Sequence, residues 1–462
     1  MPTDPGPPQL RNVQGLIMRG YTHPYSTHML FHFPDKAAAA AFMKLLLPDL
    51  QSAVDWGTDK PAMLLNVGLT ADGIAAGTSL AAEDLQQFPW VFRAGPASSD
   101  SQQALFDLGA SDPSLWWAQN FATSDVHCAV HAYALDAASM DTIVTRVAAA
   151  AESSGVKELF PTADGKSRLV QGRLPVDEIQ FGYRDGISEP KLEWPAQGAK
   201  RDASTLNNFV IGYAGSDFEP GPTGDNAAGR FAKDGCYNAF RVISQDVALF
   251  EQFLDDNAPA VVAKLGNTTA EAREWLAAKV IGRWRNGSPL ELSPDAPNEA
   301  TRDAEDFGYA ADTTGMKCPF SSHTRVANPR DEEVDASEGA VPRLIRRGVP
   351  YGPPWPGELS VDRGLIGLFL CGALASQFEL LYSWMNTNNF SEIFAPDRDT
   401  QDAVVCNREV PGADGFFWIP TPNGEIKVSL PQFLTTRGTA YFLLPSIASL
   451  RAIAATAVPI AP

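Results

Sequence analysis

The segment HMLFHFPDKAAAAAFMKLLLP, residues 28–48, contains both kinds of secondary structure from which the fold is built. Its first six residues form an alternating stretch that suits a β-strand. Asp35 is a suitable N-cap for the alanine-rich stretch that follows, and Pro48 is expected to end a helix there. The segment therefore predicts a strand followed at once by a helix over residues 36–47.

Similar strand-like and helical stretches recur along the whole chain. Strand-like stretches lie at residues 63–69, 126–135, 237–243, 364–371 and 433–444. Helical patterns lie at residues 137–151, 246–254, 270–283, 374–385 and 446–455. Because strands and helices are interleaved without strict alternation, the sequence predicts an α+β arrangement repeated in tandem. The polar stretch 288–342 is predicted to be a long ordered loop, and loops of that length are commonly functional.

Length and charge limit the classes of function. The chain has 462 residues, enough for more than one domain, and a formal net charge of −19. That charge argues against binding to nucleic acid or to an anionic membrane, since phosphate would be repelled over most of the surface. No apolar run approaches the ~20 residues that span a bilayer. An anionic ligand in a locally basic pocket remains compatible with this composition.

The cysteines and the first residues suggest a compartment. The N-terminal stretch is polar and proline-rich, with neither an apolar signal core nor a twin-arginine pair, so we expect a cytoplasmic protein. An odd number of scattered cysteines favours a reducing compartment over a disulfide framework. These cysteines are Cys128, Cys236, Cys318, Cys371 and Cys406.

His323 is the strongest candidate for a cofactor ligand. It is the only histidine in the second half of the chain, and Arg325 and Arg330 follow it closely. An imidazole beside two guanidinium groups in an acidic protein indicates a buried anionic partner. A haem meets both needs, with iron for the imidazole and propionates for the arginines. A purely structural role, the commoner one for a lone histidine, stays open at this point.

Two further segments contain candidate polar groups. In GYRDGISEP, residues 182–190, two glycines bracket Asp185 at a tight turn. An aspartate that bonds the backbone of its own turn is the common alternative there. In RLIRRGVPYGP, residues 343–353, the arginines form either a solvated basic strand end or a site that holds Arg346 over a reactive polar ligand.

Taken together, these three segments resemble the dye-decolourising peroxidases. Residues 182–186 match the family's Gly-x-x-Asp-Gly motif. The stretch CPFSSH at 318–323, followed by NPR at 328–330, resembles the segment with the family's proximal histidine. The stretch RRGVPYG at 346–352 resembles the segment with its distal arginine. The likeness extends nearly end to end and is strongest to the longer members, which include the fungal enzymes.

The resemblance implies a fold, a cofactor and an activity. The fold is two ferredoxin-like α+β domains, an N-terminal domain over residues 1–195 that ends in the Gly-x-x-Asp-Gly motif and a C-terminal domain over 196–462 that binds haem b. The activity is reduction of hydrogen peroxide with one-electron oxidation of dyes, phenols and similar aromatic donors. The oligomeric state, monomer or homo-oligomer, is left open.

The resemblance also assigns roles to three residues. His323 becomes the axial ligand of the haem iron. Asp185 becomes the acid–base group, and a carboxylate remains a base in acid, which favours activity at acidic pH. Arg346 becomes the group that stabilises negative charge. The alternative is a non-catalytic haem-binding or haem-delivery protein, although carriage alone does not require a distal acid–base pair.

Secondary roles follow with less support from the sequence. Arg325, Arg330 and Arg241 are candidate partners of the haem propionates. Leu368 and Leu370 are candidates for a dry distal wall on the basis of strand alternation, with core packing as the alternative.

One position departs from the family pattern. Family members often carry an acidic residue on the helix before the Gln-Phe-Glu stretch that starts here at Gln377, as a partner of the proximal histidine. Ala375 stands at about that position in this chain. His323 must therefore use another acceptor or none, and a weaker acceptor would make the imidazole a poorer electron donor to iron.

Overall fold

The computed structural model describes residues 7–117, 121, 124–172, 178–194, 205–332, 341–356, 361–387, 401–413 and 415–455. The strands are β1 (Tyr25–His32), β2 (Met63–Leu69), β3 (Cys128–Ala134), β4 (Lys157–Leu159), β5 (Leu169–Gly172), β6 (Cys236–Gln245), β7 (Ile345–Arg346), β8 (Val349–Tyr351), β9 (Gly364–Cys371), β10 (Phe416–Ile419), β11 (Ile426–Ser429) and β12 (Leu434–Leu444). The α-helices are α1 (Gly15–Met18), α2 (Lys36–Leu46), α3 (Ala71–Gly77), α4 (Ala82–Leu85), α5 (Trp90–Ala94), α6 (Ser99–Leu105), α7 (Ala137–Ser154), α8 (Ala227–Ala232), α9 (Val247–Leu265), α10 (Thr269–Ile281), α11 (His323–Ala327), α12 (Leu380–Thr387) and α13 (Ile447–Ala455).

One antiparallel sheet joins the two halves of the chain. Its strand order is β4-β1-β3-β2-β12-β6-β9-β7, with β5 paired to β1 and β8 paired to β9. The first half supplies β1 to β5, and the second half supplies β6 to β9 and β12. The halves meet where Leu443 of β12 pairs with Leu69 of β2. The predicted α+β class is confirmed, whereas the predicted domain boundary at residues 195 and 196 lies outside the described residues.

The elements predicted from the sequence are found, most of them with small shifts at their ends, but the helix predicted at 246–254 continues to Leu265. The carboxylate of Asp35 accepts a hydrogen bond from the backbone N–H of Ala38 at 2.8 Å, and this cap starts α2 as expected. The helix ends one residue early, since a 3-10 turn at Leu47–Asp49 contains Pro48. The helix predicted at 374–385 begins as a π-helical turn, Leu374–Glu379, that continues into α12.

Three further expectations concern the loop at 288–342, the cysteines and membrane-spanning segments. The predicted loop at 288–342 contains the short helix α11, and its residues 333–340 lie outside the described part of the chain. All five cysteines are described, each is buried, and none is part of a disulfide bond. Within the described residues, the helices are too short or too polar for any of them to cross a bilayer.

A network of buried polar side chains connects strands of the first half of the chain to β9 of the second half. His28 of β1 and His131 of β3 are cross-strand partners, and their Nδ1 atoms lie 2.9 Å apart. The Nε2 of His28 lies 2.5 Å from Oε1 of Gln171. The amide nitrogen of Gln171 donates to the carbonyl of Ile366 in β9 at 2.8 Å. Burial lowers the pKa of His28 to about 4 and holds the pKa of His131 well below its ordinary value.

We expect this network to make the protein less stable in acid. The unfolded chain protonates His28 near its ordinary pKa of 6.5, whereas the folded protein does so only at about 4. The unfolded state therefore binds more protons between these values, and His28 alone costs about 3 kcal/mol of stability as the pH falls through that window. His28→Gln should flatten the decline of the melting temperature between pH 6.5 and 4. His32→Gln, at the exposed end of the same strand, should keep the wild-type slope, and equal slopes in all three proteins would contradict the assignment.

Candidate active site

The loop that contains Asp185 is anchored on both sides. Gly182 and Gly186 have φ values of +80° and +74°, a left-handed conformation that glycine adopts without strain. Between them, the Tyr183 hydroxyl donates to the carbonyl of Ala277 in α10 at 2.8 Å. Among the described residues, the Asp185 carboxylate bonds to Arg346 instead of the backbone of its own turn. The turn therefore presents this carboxylate to another part of the chain.

Arg346 ends strand β7, and its guanidinium faces the Asp185 loop. Its Nη1 lies 3.3 Å from Oδ1 of Asp185, and its Nη2 donates to the carbonyl of Ser188 at 3.0 Å. Its Nε lies 3.2 Å from Oε1 of Glu189. Burial opposes the charge of Arg346, but the two carboxylates raise its pKa overall. The guanidinium is thus a permanent cation beside Asp185.

The side chain that shares a face with Arg346 is Phe369. These residues are direct cross-strand partners in β7 and β9, and such partners project to the same side of a sheet. Leu368 and Leu370 project to the other side, where both are fully buried in a cluster that includes Ile345. The expectation that Leu368 and Leu370 form a distal wall is therefore wrong. They belong to the core, because a shift of one residue along a strand reverses the face.

His323 is the first residue of α11. The preceding Ser322 is fully buried and donates its hydroxyl to the carbonyl of Lys279 in α10 at 2.6 Å. The imidazole itself remains 31% exposed. The charges of Arg346 and Asp185 both act on the pKa of His323, so the three side chains border one region.

Asp402 is the acceptor that replaces the acid missing at Ala375. Its Oδ2 lies 2.7 Å from Nδ1 of His323, and the side chain is fully buried. Its Oδ1 accepts hydrogen bonds from the backbone N–H groups of Val404 and Val405, both at 2.8 Å. Burial opposes the ion pair, yet the pair lowers the pKa of Asp402 and raises that of His323. With Nδ1–H donating to the carboxylate, Nε2 keeps its lone pair for a metal.

Three arginines beside this region form a cluster of positive charge. No carboxylate of the described residues lies within 4 Å of the guanidinium groups of Arg283, Arg330 or Arg343. The Nε atom of Arg330 is buried and has no hydrogen-bond partner among the described residues. Burial, together with the charges of Arg330 and Arg346, lowers the pKa of Arg343. A dianionic ligand would relieve this repulsion, and haem, with its two propionates, fits both this cluster and the His323–Asp402 pair.

Arg325 and Arg241 have structural partners instead of a place in this cluster. The Arg325 side chain is 2% exposed and forms ion pairs with Glu332 and, at 3.1 Å, with Asp312. Both terminal nitrogens of Arg241 bond to Asp107, at 2.7 and 2.5 Å. Because carboxylates of the chain already occupy these donors, the expectation that Arg325 and Arg241 pair with propionates is corrected.

Four residues of the site were not predicted from the sequence: Asp402, Glu189, Arg343 and Arg283. Glu189 and Arg343 lie inside the two motifs already described, so their position was a usable signal. Arg283 lies just after Gly282, which ends α10 with a φ of +94°. Asp402 lies in no motif and is separated from His323 by 79 residues.

Arg343→Gln should weaken haem binding about tenfold, since a hydrogen bond to a charged group contributes on the order of 1.5–3 kcal/mol. The apoprotein should be no less stable, because the substitution removes a cation that is repelled by its neighbours. Haem titration of the apoprotein and its melting temperature check the two effects. Arg302→Gln, a change of an exposed arginine, serves as the control. Unchanged haem affinity with a lowered melting temperature would assign Arg343 a structural role instead.

Comparisons with known proteins agree with this site. No family model matches the sequence. The dye-decolorizing peroxidase msp1 of Mycetinis scorodonius is 26% identical, over 96% of this chain and 87% of its own length. The dye-decolorizing peroxidase AauDyP1 of Auricularia auricula-judae is 25% identical, over 95% and 86%. The multifunctional dye peroxidase DyP2 of an Amycolatopsis strain is 31% identical, over 59% of this chain and 60% of its own length.

Solved structures show the same fold. A crystal structure of DyP superposes with a TM-score of 0.80 at 23% identity and covers 99% of this chain and 100% of the other. A fungal DyP-type peroxidase from Auricularia auricula-judae gives a TM-score of 0.78 at 22% identity, with 97% and 99% covered.

The fold and the site together define a haem peroxidase with an α+β scaffold. The relatives that align over nearly the whole chain indicate which kind of haem peroxidase it resembles. The chain is similar over at least 95% of its length to the two fungal dye-decolorizing peroxidases above, which indicates a peroxidase of this type with haem as its cofactor.

Proposed function

We propose that this peroxidase reduces hydrogen peroxide with Asp185 as the acid–base group, Arg346 as the charge stabiliser and His323 as the axial ligand. The observation that carries the proposal is the 3.3 Å contact between the Asp185 carboxylate and the Arg346 guanidinium, in a region that His323 also borders. A carrier of haem has no need for such a pair, so turnover is favoured over haem delivery.

Asp185 is suited to move a proton between the two oxygens of peroxide. Its Oδ1 is held by Arg346, and the side chain is 36% exposed, so the carboxylate is accessible to a small ligand. One carboxylate oxygen accepts the proton from the first peroxide oxygen and returns it to the second, which leaves as water. A positioned group of this kind contributes about 10²- to 10⁴-fold.

Arg346 stabilises the negative charge that develops as the O–O bond breaks. Its donors are fixed by Ser188 and Glu189 before any ligand arrives, so little reorganisation is required. When bound, haem supplies the iron and the porphyrin that store the two oxidising equivalents. The Asp402 carboxylate behind His323 makes the imidazole a stronger electron donor to that iron.

We propose aromatic molecules as the electron donors. Two such donors each lose one electron, which together with two protons balances the conversion of peroxide into two waters. One structural neighbour is a dye-decolorizing peroxidase in complex with 2,6-dimethoxyphenol. That phenol is therefore a suitable first donor to test.

The experiment is stopped-flow spectroscopy of the purified holoprotein mixed with peroxide across pH. The proposal predicts a rapid change of the Soret band and its return to the initial spectrum when 2,6-dimethoxyphenol is added. A coloured protein whose spectrum is inert to peroxide would support haem binding or delivery instead.

A further inference from the structure

Glu189 is a second carboxylate at Arg346, and it takes no part in the proton transfer proposed for Asp185. Its Oε1 lies 3.2 Å from Nε of Arg346. Its Oε2 accepts a hydrogen bond from the backbone N–H of Arg346 at 3.0 Å. One side chain therefore holds both the main chain and the guanidinium of the distal arginine.

The same carboxylate connects Arg346 to the first helix of the chain. Oε2 of Glu189 lies 3.2 Å from Nη1 of Arg347, whose side chain is only 7% exposed. Arg347 in turn donates to the carbonyls of Leu16 and Ile17 in α1, at 3.0 and 3.3 Å. Within the described residues, Glu189 is the carboxylate that neutralises this buried cation. Glu189 thus connects Arg346 to Arg347 and, through Arg347, to α1.

The length of the Asp185–Arg346 contact indicates how the bonds from Glu189 to Arg346 affect the pairing of Arg346 with Asp185. A charge-assisted bond between guanidinium and carboxylate normally measures about 2.7–2.9 Å. The contact here is longer, at 3.3 Å, and it uses one nitrogen, because Nε is bonded to Glu189 and Nη2 to Ser188. Without Glu189, Arg346 could turn and close on Asp185 through two nitrogens. That tight pair would make Asp185 a weaker base and withdraw the guanidinium from a ligand.

We propose that Glu189 is a positioning residue that holds the Arg346 guanidinium beside Asp185 and prevents the two from closing into a tight ion pair. The inference rests on the proposed function, since it concerns the same two groups. The pKa of the Glu189 carboxylate is affected by the charges of Arg346, Arg347 and Asp185. The charge of Glu189 in turn affects the pKa of Arg343.

The test replaces Glu189 with glutamine, which keeps the size of the side chain and removes its charge. Fluoride is a small anion that binds ferric haem and accepts hydrogen bonds, so its affinity reports the position of the guanidinium without turnover. Glu189→Gln should retain haem and lose about 10- to 100-fold in both fluoride affinity and the rate of reaction with peroxide. Glu189→Asp, which keeps the charge, should give intermediate values. Glu193→Gln, the same change at an exposed position four residues away, should match the wild type.

A double-mutant cycle separates positioning from general stability. If Glu189 acts through Arg346, Glu189→Gln should have no further effect on either quantity in an Arg346→Ala background. Full additivity, or wild-type values in Glu189→Gln, would overturn the proposal. Should Glu189→Gln fail to fold, the proposal requires that Glu189→Asp lose fluoride affinity. If Arg346→Ala reacts with peroxide as the wild type does, the proposed function fails; if only Glu189→Gln is without effect, this inference alone fails.

Discussion

Arg346→Ala should slow the reaction with hydrogen peroxide by about 10²- to 10³-fold, the usual cost of removing one preorganised donor. The variant should keep its haem, because His323 and the cluster of Arg283, Arg330 and Arg343 are unchanged. The substitution also leaves Asp185 without its bonded cation, at a side chain that is 36% exposed. Water can solvate that carboxylate, so we expect little loss of stability. Stopped-flow measurement of the Soret band at several peroxide concentrations gives the rate constant.

Two companion variants separate charge from geometry. Arg346→Lys keeps the positive charge but loses the planar fork that bonds Asp185, Ser188 and Glu189, and should lie between alanine and wild type. Asp185→Asn removes the proposed base and leaves the arginine, and should also slow the reaction by at least about 10²-fold. Arg302→Ala changes an exposed arginine and is the control. Wild-type rates in both Arg346→Ala and Asp185→Asn would remove these residues from the mechanism.

The three central residues could be predicted because each lies in a short motif. Asp185 lies between two glycines that its turn requires, and both have left-handed backbone angles. Arg346 and His323 lie in segments whose residue types and order resemble those of one family. Such motifs consist of residues that are close together in the sequence, so one sequence is enough to recognise them. The same is true of α2 and its Asp35 cap.

The errors arose where contacts in the folded chain decide the outcome. Strand alternation showed correctly that Leu368 and Leu370 share a face, but β9 has buried residues on both faces, so alternation could not say which face meets Arg346. The charges of Arg241 and Arg325 were visible, but the sequence did not show which carboxylates would pair with them, even though Glu332 lies only 7 residues from Arg325. Asp107 lies 134 residues from Arg241, and nothing in the sequence relates the two.

The contact of Asp402 with His323 also could not be predicted from the sequence. It is brought to His323 by the backbone bond from Ala403 to the carbonyl of Ser321, at 2.9 Å, which aligns two distant segments. The residue at the position suggested by resemblance, Ala375, lies instead in the π-helical turn. The function of the missing acid is thus supplied from another part of the chain, and only the folded structure reveals it.

His323→Ala should abolish specific haem binding, since the imidazole is the residue that would hold the haem iron in the proposed site. The apoprotein should remain folded, because the imidazole is 31% exposed and its loss leaves no large cavity. Its Asp402 partner would then be a buried carboxylate without its cation, so a modest fall in melting temperature is expected. Added imidazole should restore the Soret band, and a normal band without imidazole would place the ligand elsewhere.

Asp402→Asn tests the proximal pair more finely. The amide oxygen can still accept from Val404 and Val405, so the turn is preserved. The amide nitrogen would then donate to Nδ1 of His323, which forces the proton onto Nε2 and removes the lone pair that a metal needs. We therefore expect haem affinity to fall by about 10- to 100-fold, the usual effect of losing the partner of a metal-binding histidine. Haem titration of the apoprotein measures this fall, with Asp255→Asn as an exposed control. Affinity equal to that of the wild type would show that the Asp402 carboxylate does not set the tautomer of His323.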